Sequence, residues 1–187
     1  MVGKGSVNHN SRLFTAENVD PERTHLNINY CNQNVKTVYH ELFDEALKRY
    51  NDKQIRADRR IDDYYEKIRS SKQEKPFHEI ILQIGGLYDM NAQSENGQLA
   101  KQILDEYYQG FQKRNPNLYV FSAHLHMDEA TPHLHIDFVP FTTGSKRGLD
   151  TRVSLKQALA TQGFKGGTRG ATEWNQWISP KKNSLLP

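Results

Sequence analysis

The stretch HLHMDEATPHLHI, His124 to Ile136, puts four histidines and two acids into thirteen positions, and no other segment limits the fold as much. Two apolar runs, LYVFSAHLHMD and HLHIDFVPF, bracket the turn-forming DEATP and read as the strands of a β-hairpin. Side chains alternate along a strand, so His124 and His126 share one face of the first strand, and His133 and His135 share one face of the second. With the loop centred between Glu129 and Ala130, His126 lies opposite His133 and His124 opposite His135. All four imidazoles then leave the same face, with cross-strand Cβ atoms about 5 Å apart. Leu125, Met127, Leu134, Ile136 and Phe138 occupy the other face and are expected in the core. Unpaired buried imidazoles cost desolvation with no return, so two facing pairs point to a metal site. Three neutral imidazoles suit Mn, Zn, Co or Ni and leave coordination positions open for a substrate oxygen. Spacing alone leaves open which three of the four bind. His25, His40 and His78 are expected to be structural.

Around the hairpin the elements are mixed. HLNINY (His25 to Tyr30) alternates and reads as a strand with one buried face. Thr37 to about Arg69 reads as two helices, with stripes Val38, Leu42, Ala46, Leu47 and Ile61, Tyr64, Tyr65, Ile68. HEIILQIGG (His78 to Gly86) is a further strand. Asn96 to Arg114 is an amphipathic helix with Leu99, Ile103, Tyr107 and Phe111 on its inner side, closed by Asn115 and Pro116. A helix near Ser154 to Gln162 stops at Gly163, and a glycine-rich basic loop leads to EWNQWI. Hairpin-linked strands with helical insertions predict an α+β domain, an antiparallel β-sheet flanked by α-helices that pack on one side. The length suits one domain over residues 1–187, and the ending SLLP suggests the N-terminal part of a longer protein.

No apolar run has membrane-spanning length and no leader peptide is evident, so a soluble cytoplasmic protein is expected. The one cysteine, Cys31, excludes an intrachain disulfide and a cysteine-based zinc cluster; it is expected to be a small buried residue. The net charge of +3 is unevenly spread: Gly144 to Lys182 holds eight Lys and Arg against Asp150 and Glu173. A basic C-terminal third suits a polyanion, of which nucleic acid is the commonest. The loop KGGTRG (Lys165 to Gly170) lets backbone amides, Lys165 and Arg169 approach phosphates. Trp174 and Trp177 suit either stacking on unpaired bases or, at a spacing of three, the core. The pairs Tyr64–Tyr65 and Tyr107–Tyr108 are expected to pack inward with one edge exposed.

HMDEATPHLH (His126 to His135) resembles the H-x-D-E-x-T-P-H-x-H signature of the MobV (Mob/Pre) plasmid-mobilisation relaxases, members of the HUH endonuclease superfamily. NHNSR (Asn8 to Arg12) is similar to that family's H-N-x-R motif, and RTHLN (Arg23 to Asn27) to its R-S-H-L-N segment. The resemblance implies His126, His133 and His135 as metal ligands, with His124 as a neighbour, and His9 as nucleophile. It implies that Arg12 holds the scissile phosphate and that Arg56, in QIRAD, is a further DNA contact. Glu129 and Glu79 match acids that orient or deprotonate the nucleophile. It also implies a divalent cofactor, manganese first, with magnesium or another divalent ion as alternative. The implied partner is single-stranded or supercoiled plasmid DNA at an origin of transfer, with any oligomerisation through a missing C-terminal region. The chain departs from the pattern in three places. Only eight residues precede His9, Asn27-Ile28-Asn29-Tyr30 replaces N-Y-E-L, and Asp58 to Lys75 looks like an insertion.

Such an enzyme cuts one strand by transesterification. Imidazole is already largely neutral near pH 7, its ordinary pKa being about 6.5, whereas a phenol near 10 must first lose a proton. The rival within the superfamily is a rolling-circle replication initiator with a tyrosine nucleophile. Outside it stand a non-catalytic DNA-binding regulator with a structural metal and a small-molecule metallohydrolase.

Overall fold

A computed structural model describes residues 7–184. The first six residues, which hold most of the short leader before His9, and the end of SLLP from 185 onward lie outside the described residues. A short helix, α1 (Val7–Asn10), is followed by a 3-10 helix at Pro21–Leu26, strand β1 (Ile28–Asn32) and the long helix α2 (Val35–Asp52). Next come α3 (Tyr64–Arg69), β2 (His78–Gln83), α4 (Glu95–Gln109), α5 (Phe111–Arg114) and the hairpin strands β3 (Leu118–His126) and β4 (His133–Thr142). The two-residue β5 (Arg152–Val153), α6 (Leu155–Ala160) and α7 (Glu173–Ser184) complete the order.

The strands run β1-β3-β4-β2 with every pairing antiparallel, and β5 adds to the far end of β4. The histidine hairpin therefore supplies the two central strands. Its apolar face meets α4, α5, α6 and α7 in one core, where Leu125, Leu134, Ile136 and Phe138 join Leu104, Phe111, Leu159 and Trp177. Helices cover the histidine face as well, at the end away from the hairpin turn. There Val139 and Phe121 pack against Val38, Tyr39 and Phe43 of α2 and Tyr64 and Ile68 of α3. The α+β expectation holds, while the one-sided helix layer does not. Phe121 reaches this second core because β3 bulges between Val120 and Ser122; the extra residue shifts the alternation and sends the ring to the histidine side.

Three local expectations are corrected. Residues 25–27 do not start a strand, because Asp20 accepts from the Glu22 N–H and Pro21 opens a 3-10 turn that runs to Leu26. On α4, Leu99 and Ile103 are exposed, and Gly97, Ala100 and Leu104 face inward. A strict spacing of four drifts about 40° per step around a helix, so it selects a row that leaves the buried face. On α2 the buried residues are Val38, Tyr39, Phe43 and Ala46, so Leu42 and Leu47 sit at the flank. The stop after α6 is as expected, with Gly163 at φ 94, where a side chain would be strained.

Candidate active site

Across β3 and β4, His126 pairs with His133 and His124 with His135, the register expected from the sequence. All four rings are buried beneath the N-terminal segment. The polar partners of three rings fix which nitrogen is left over. His126 Nε2 lies 2.8 Å from the Asn10 carbonyl oxygen, and His133 Nδ1 lies 2.9 Å from that of Thr131. A carbonyl only accepts, so both of these nitrogens carry hydrogen, and the lone pairs sit on His126 Nδ1 and His133 Nε2. His135 Nδ1 donates to Glu79 Oε1 at 2.7 Å, which leaves its buried Nε2 with no hydrogen-bond partner. Three lone pairs thus converge with no donor among them.

The spacing suits a cation. His126 Nδ1 and His133 Nε2 are 3.3 Å apart, and the ligand atoms of His126, His133 and His135 lie within 4.8 Å of one another. Two nitrogens about 2.1 Å from one ion are roughly 3.0–3.4 Å apart, so these residues can hold a divalent metal. Burial, with Arg12 adding to it, pushes His126 down to about 2, and burial lowers His133 too, which keeps both rings in the neutral form that ligation needs. His124 stands outside the tripod. Its Nε2 is 3.1 Å from Ser122 Oγ, and burial, then the neighbouring His135, lowers it to about 4.

Glu129 joins the tripod to the N-terminal segment. Its Oε1 is 3.5 Å from His9 Nε2, 3.7 Å from His133 Nε2 and 3.9 Å from His126 Nδ1. The ring of His9, at the end of α1, meets the His126 ring edge-on with centroids 6.3 Å apart. Arg12 Nη1 lies 3.2 Å from His9 Nε2. The arginine and the carboxylate favour opposite His9 tautomers: a guanidinium N–H needs a lone pair on Nε2, and Glu129 needs a hydrogen there.

The structure gives partners for the residues singled out in the sequence, and several differ from those expected. Glu79 accepts hydrogen bonds from His135 and Asn10, and His9 is among the groups that influence its charge. Burial opposes its ionisation, yet hydrogen bonds from those two residues hold its carboxyl below the ordinary range. Arg12 is engaged by Asp128 and Glu129 instead of standing free for a phosphate, and its φ of 55 lies in the left-handed region. Arg56 pairs with the exposed Asp58 at 2.7 Å. Lys165 and Arg169 lie between α6 and α7, helices whose buried residues join the core on the sheet's opposite face. Among the described residues no contact joins Arg56, Lys165 or Arg169 to the histidines. Trp177 is core, with its Nε1–H donating to Asn115 Oδ1 at 2.8 Å, and Trp174 packs beside it. Cys31 is half-buried near Tyr108.

Three buried polar residues around the histidines were not singled out from the sequence. Asp128 is fully buried and accepts from Arg12, Thr24 and Asn27; burial opposes its charge, but these donors hold it down at about 2. A charged residue inside the signature, beside a hairpin turn, was the available signal. Asn10 ties the segment bearing His9 to Glu79 and Asp137 as well as to His126. Asp137 shares the histidine face by strand parity, and burial, then Glu79, pushes it up to about 7.

Comparison with known proteins places these residues in context. A family model described as plasmid recombination enzyme, Mob_Pre, matches residues 29–164; His9 and Arg12 lie ahead of that stretch. No curated protein sequence matches. Among solved structures the chain is similar to the MobM relaxase domain (MOBV; Mob_Pre) bound to plasmid pMV158 oriT DNA in Mn-bound crystals. One, at pH 5.5, is 22% identical with a TM-score of 0.46, covering 81% of this chain and 67% of the other. Another, at pH 4.6, is 20% identical with a TM-score of 0.48, covering 96% and 76%. The family match spans well over half of the sequence and includes the whole histidine hairpin, so the chain belongs to the Mob_Pre family of plasmid recombination enzymes.

Proposed function

We propose that the chain is a metal-dependent, site- and strand-specific DNA relaxase, the nicking domain of a longer mobilisation protein, acting on single-stranded or supercoiled DNA at an origin of transfer. The observation that carries this reading is Glu129, one carboxylate within 4 Å of both His9 and two rings of the tripod. A nucleophile and a cation site that share a carboxylate can act on the same phosphodiester.

With the Nε2 hydrogen directed to Glu129, 3.5 Å away, in place of the Arg12 contact, the lone pair of His9 is on Nδ1. Nδ1 bonds to phosphorus as the P–O3′ bond breaks; the Nε2 proton passes to Glu129, and the departing 3′ oxygen takes a proton from water. The phosphoramidate so formed keeps the bond reactive, and a free 3′ hydroxyl can reverse each transfer to reseal the strand. His126, His133 and His135 would hold the cation, which when bound supplies positive charge to the non-bridging phosphate oxygens. Manganese is proposed, with magnesium or another divalent ion as the alternative, because imidazole suits borderline transition-metal ions better than magnesium.

Three of the nine phenols have partners away from the histidine cluster, which counts against any of these three as nucleophile. Tyr30 donates to Asp105, Tyr39 to the Pro76 carbonyl, and Tyr64 accepts from the Val153 N–H; burial raises all three away from the phenolate form. The deciding experiment is nicking of supercoiled plasmid carrying the transfer origin, with and without manganese, by wild type, His9→Ala and His133→Ala. Metal-dependent nicking lost in both variants, with the DNA adduct on the His9 peptide by mass spectrometry, is the expected result. An adduct on tyrosine refutes it.

A further inference from the structure

Most large apolar side chains of this protein are covered, but Leu13 and Phe14, directly after the His9 segment, are 73% and 50% exposed. The Phe14 ring is tilted 49° against that of His9, with centroids 5.7 Å apart. Nothing in either core claims it. The backbone turns through the left-handed conformation of Arg12, whose guanidinium is pinned by Asp128 and Glu129, so the two residues that follow are held at the site's rim. An exposed aromatic face beside a group that attacks a phosphodiester suits a nucleobase. Every base presents a π-face, and such stacking needs no sequence-specific hydrogen bond.

We propose that Phe14 is the positioning residue for the DNA strand at this site, its exposed ring receiving an unpaired base next to the phosphodiester beside His9. The proposal rests on the nicking reading above and adds to it how the strand is registered. The backbone can slide along a charged groove; a base stacked one ring away from the nucleophile stops that sliding and sets which phosphate His9 meets. Because the stack is made before reaction and kept through it, it acts on binding and not on the chemical step.

Two measurements test this. Irradiating the full chain with a short oligo-thymidylate carrying 5-iododeoxyuridine should give a crosslink on the Phe14 peptide, located by mass spectrometry. Crosslinks that map only elsewhere overturn the proposal. In nicking assays, Phe14→Ala and Phe14→Leu should each raise KM roughly tenfold with kcat little changed, Phe14→Trp should restore KM, and Leu99→Ala, exposed on the opposite layer, should match wild type. Equal KM for Phe14→Ala and wild type, or full function in Phe14→Leu, sinks it. Wild type that crosslinks at Phe14 yet fails to nick would refute the cleavage reading while upholding the base contact, so the two failures are distinguishable. Phe14 is half-exposed and in neither core, so its replacement leaves folding intact, as matching thermal midpoints should verify.

Discussion

Arg12 and Asp128, 116 positions apart in the chain, meet in a two-point contact: Nε to Oδ2 at 2.9 Å and Nη2 to Oδ1, with the carboxylate wholly buried. The pair ties the segment bearing His9 to the turn of the histidine hairpin. Breaking a buried pair strands the remaining charge, at a typical cost of about 3–5 kcal/mol, less here because Arg12 keeps Glu129 and some solvent. Asp128→Asn should therefore lose about 2–3 kcal/mol in urea denaturation, with faster hydrogen exchange across residues 7–27. An unchanged midpoint would show that the contact holds nothing in place.

Metal should stabilise the fold through three rings and not four. At about a hundredfold excess over Kd, a ligand bound only by the folded state adds about 2.7 kcal/mol. Manganese should raise the melting temperature of wild type and of His124→Ala, whereas His133→Ala and His135→Ala should show no shift. A lost shift in His124→Ala would enlarge the ligand set.

Glu79 should act through His135. Its carboxylate fixes the ring so that Nε2 faces the other two ligand nitrogens. Glu79→Gln should weaken manganese binding about 10- to 100-fold by calorimetry. Unchanged affinity with slowed nicking would instead return Glu79 to the role of base for His9.

Acid should destabilise the metal-free protein through His78. Burial, with Lys75 adding to it, lowers this ring to about 4. Between its ordinary value of 6.5 and about 4 the unfolded chain binds a proton that the fold excludes, so stability falls as the pH drops through that window. Asp137 works the other way: raised from 3.8 to about 7, it makes the fold less stable as pH rises across that range. Comparing wild type with His78→Gln isolates the first effect. The gap in unfolding free energy between the two should move by about 2–3 kcal/mol from about pH 7.5 to about pH 4, in favour of the variant at low pH. A gap independent of pH would mean that His78 is solvated in the fold.

The turn end of the hairpin was legible because strand alternation holds there: once the loop is centred between Glu129 and Ala130, His126–His133 and His124–His135 follow, whereas the bulge beyond Ser122 was not legible. Helix faces were less so, as Leu99 shows, since a row of apolar residues on a helix can belong to its flank. What could not be read was the traffic between distant segments. Nothing local to Asp128 announces Arg12, Thr24 and Asn27 as its partners, and nothing local to Glu79 announces His135. These contacts join side chains 56 to 116 positions apart, which only the assembled fold brings together.

Among the described residues the arm bearing His9 shares no strand ladder with the sheet; a short helical turn and polar clasps to Glu79, His126 and Asp128 attach it. Unfastening those clasps would swing the arm aside without unpicking a single β-pairing. Because the Asn10 carbonyl also holds His126 Nε2, and Asn10 Nδ2 donates to the Glu79 that holds His135, such a release would loosen the seats of two of the three clustered rings as well.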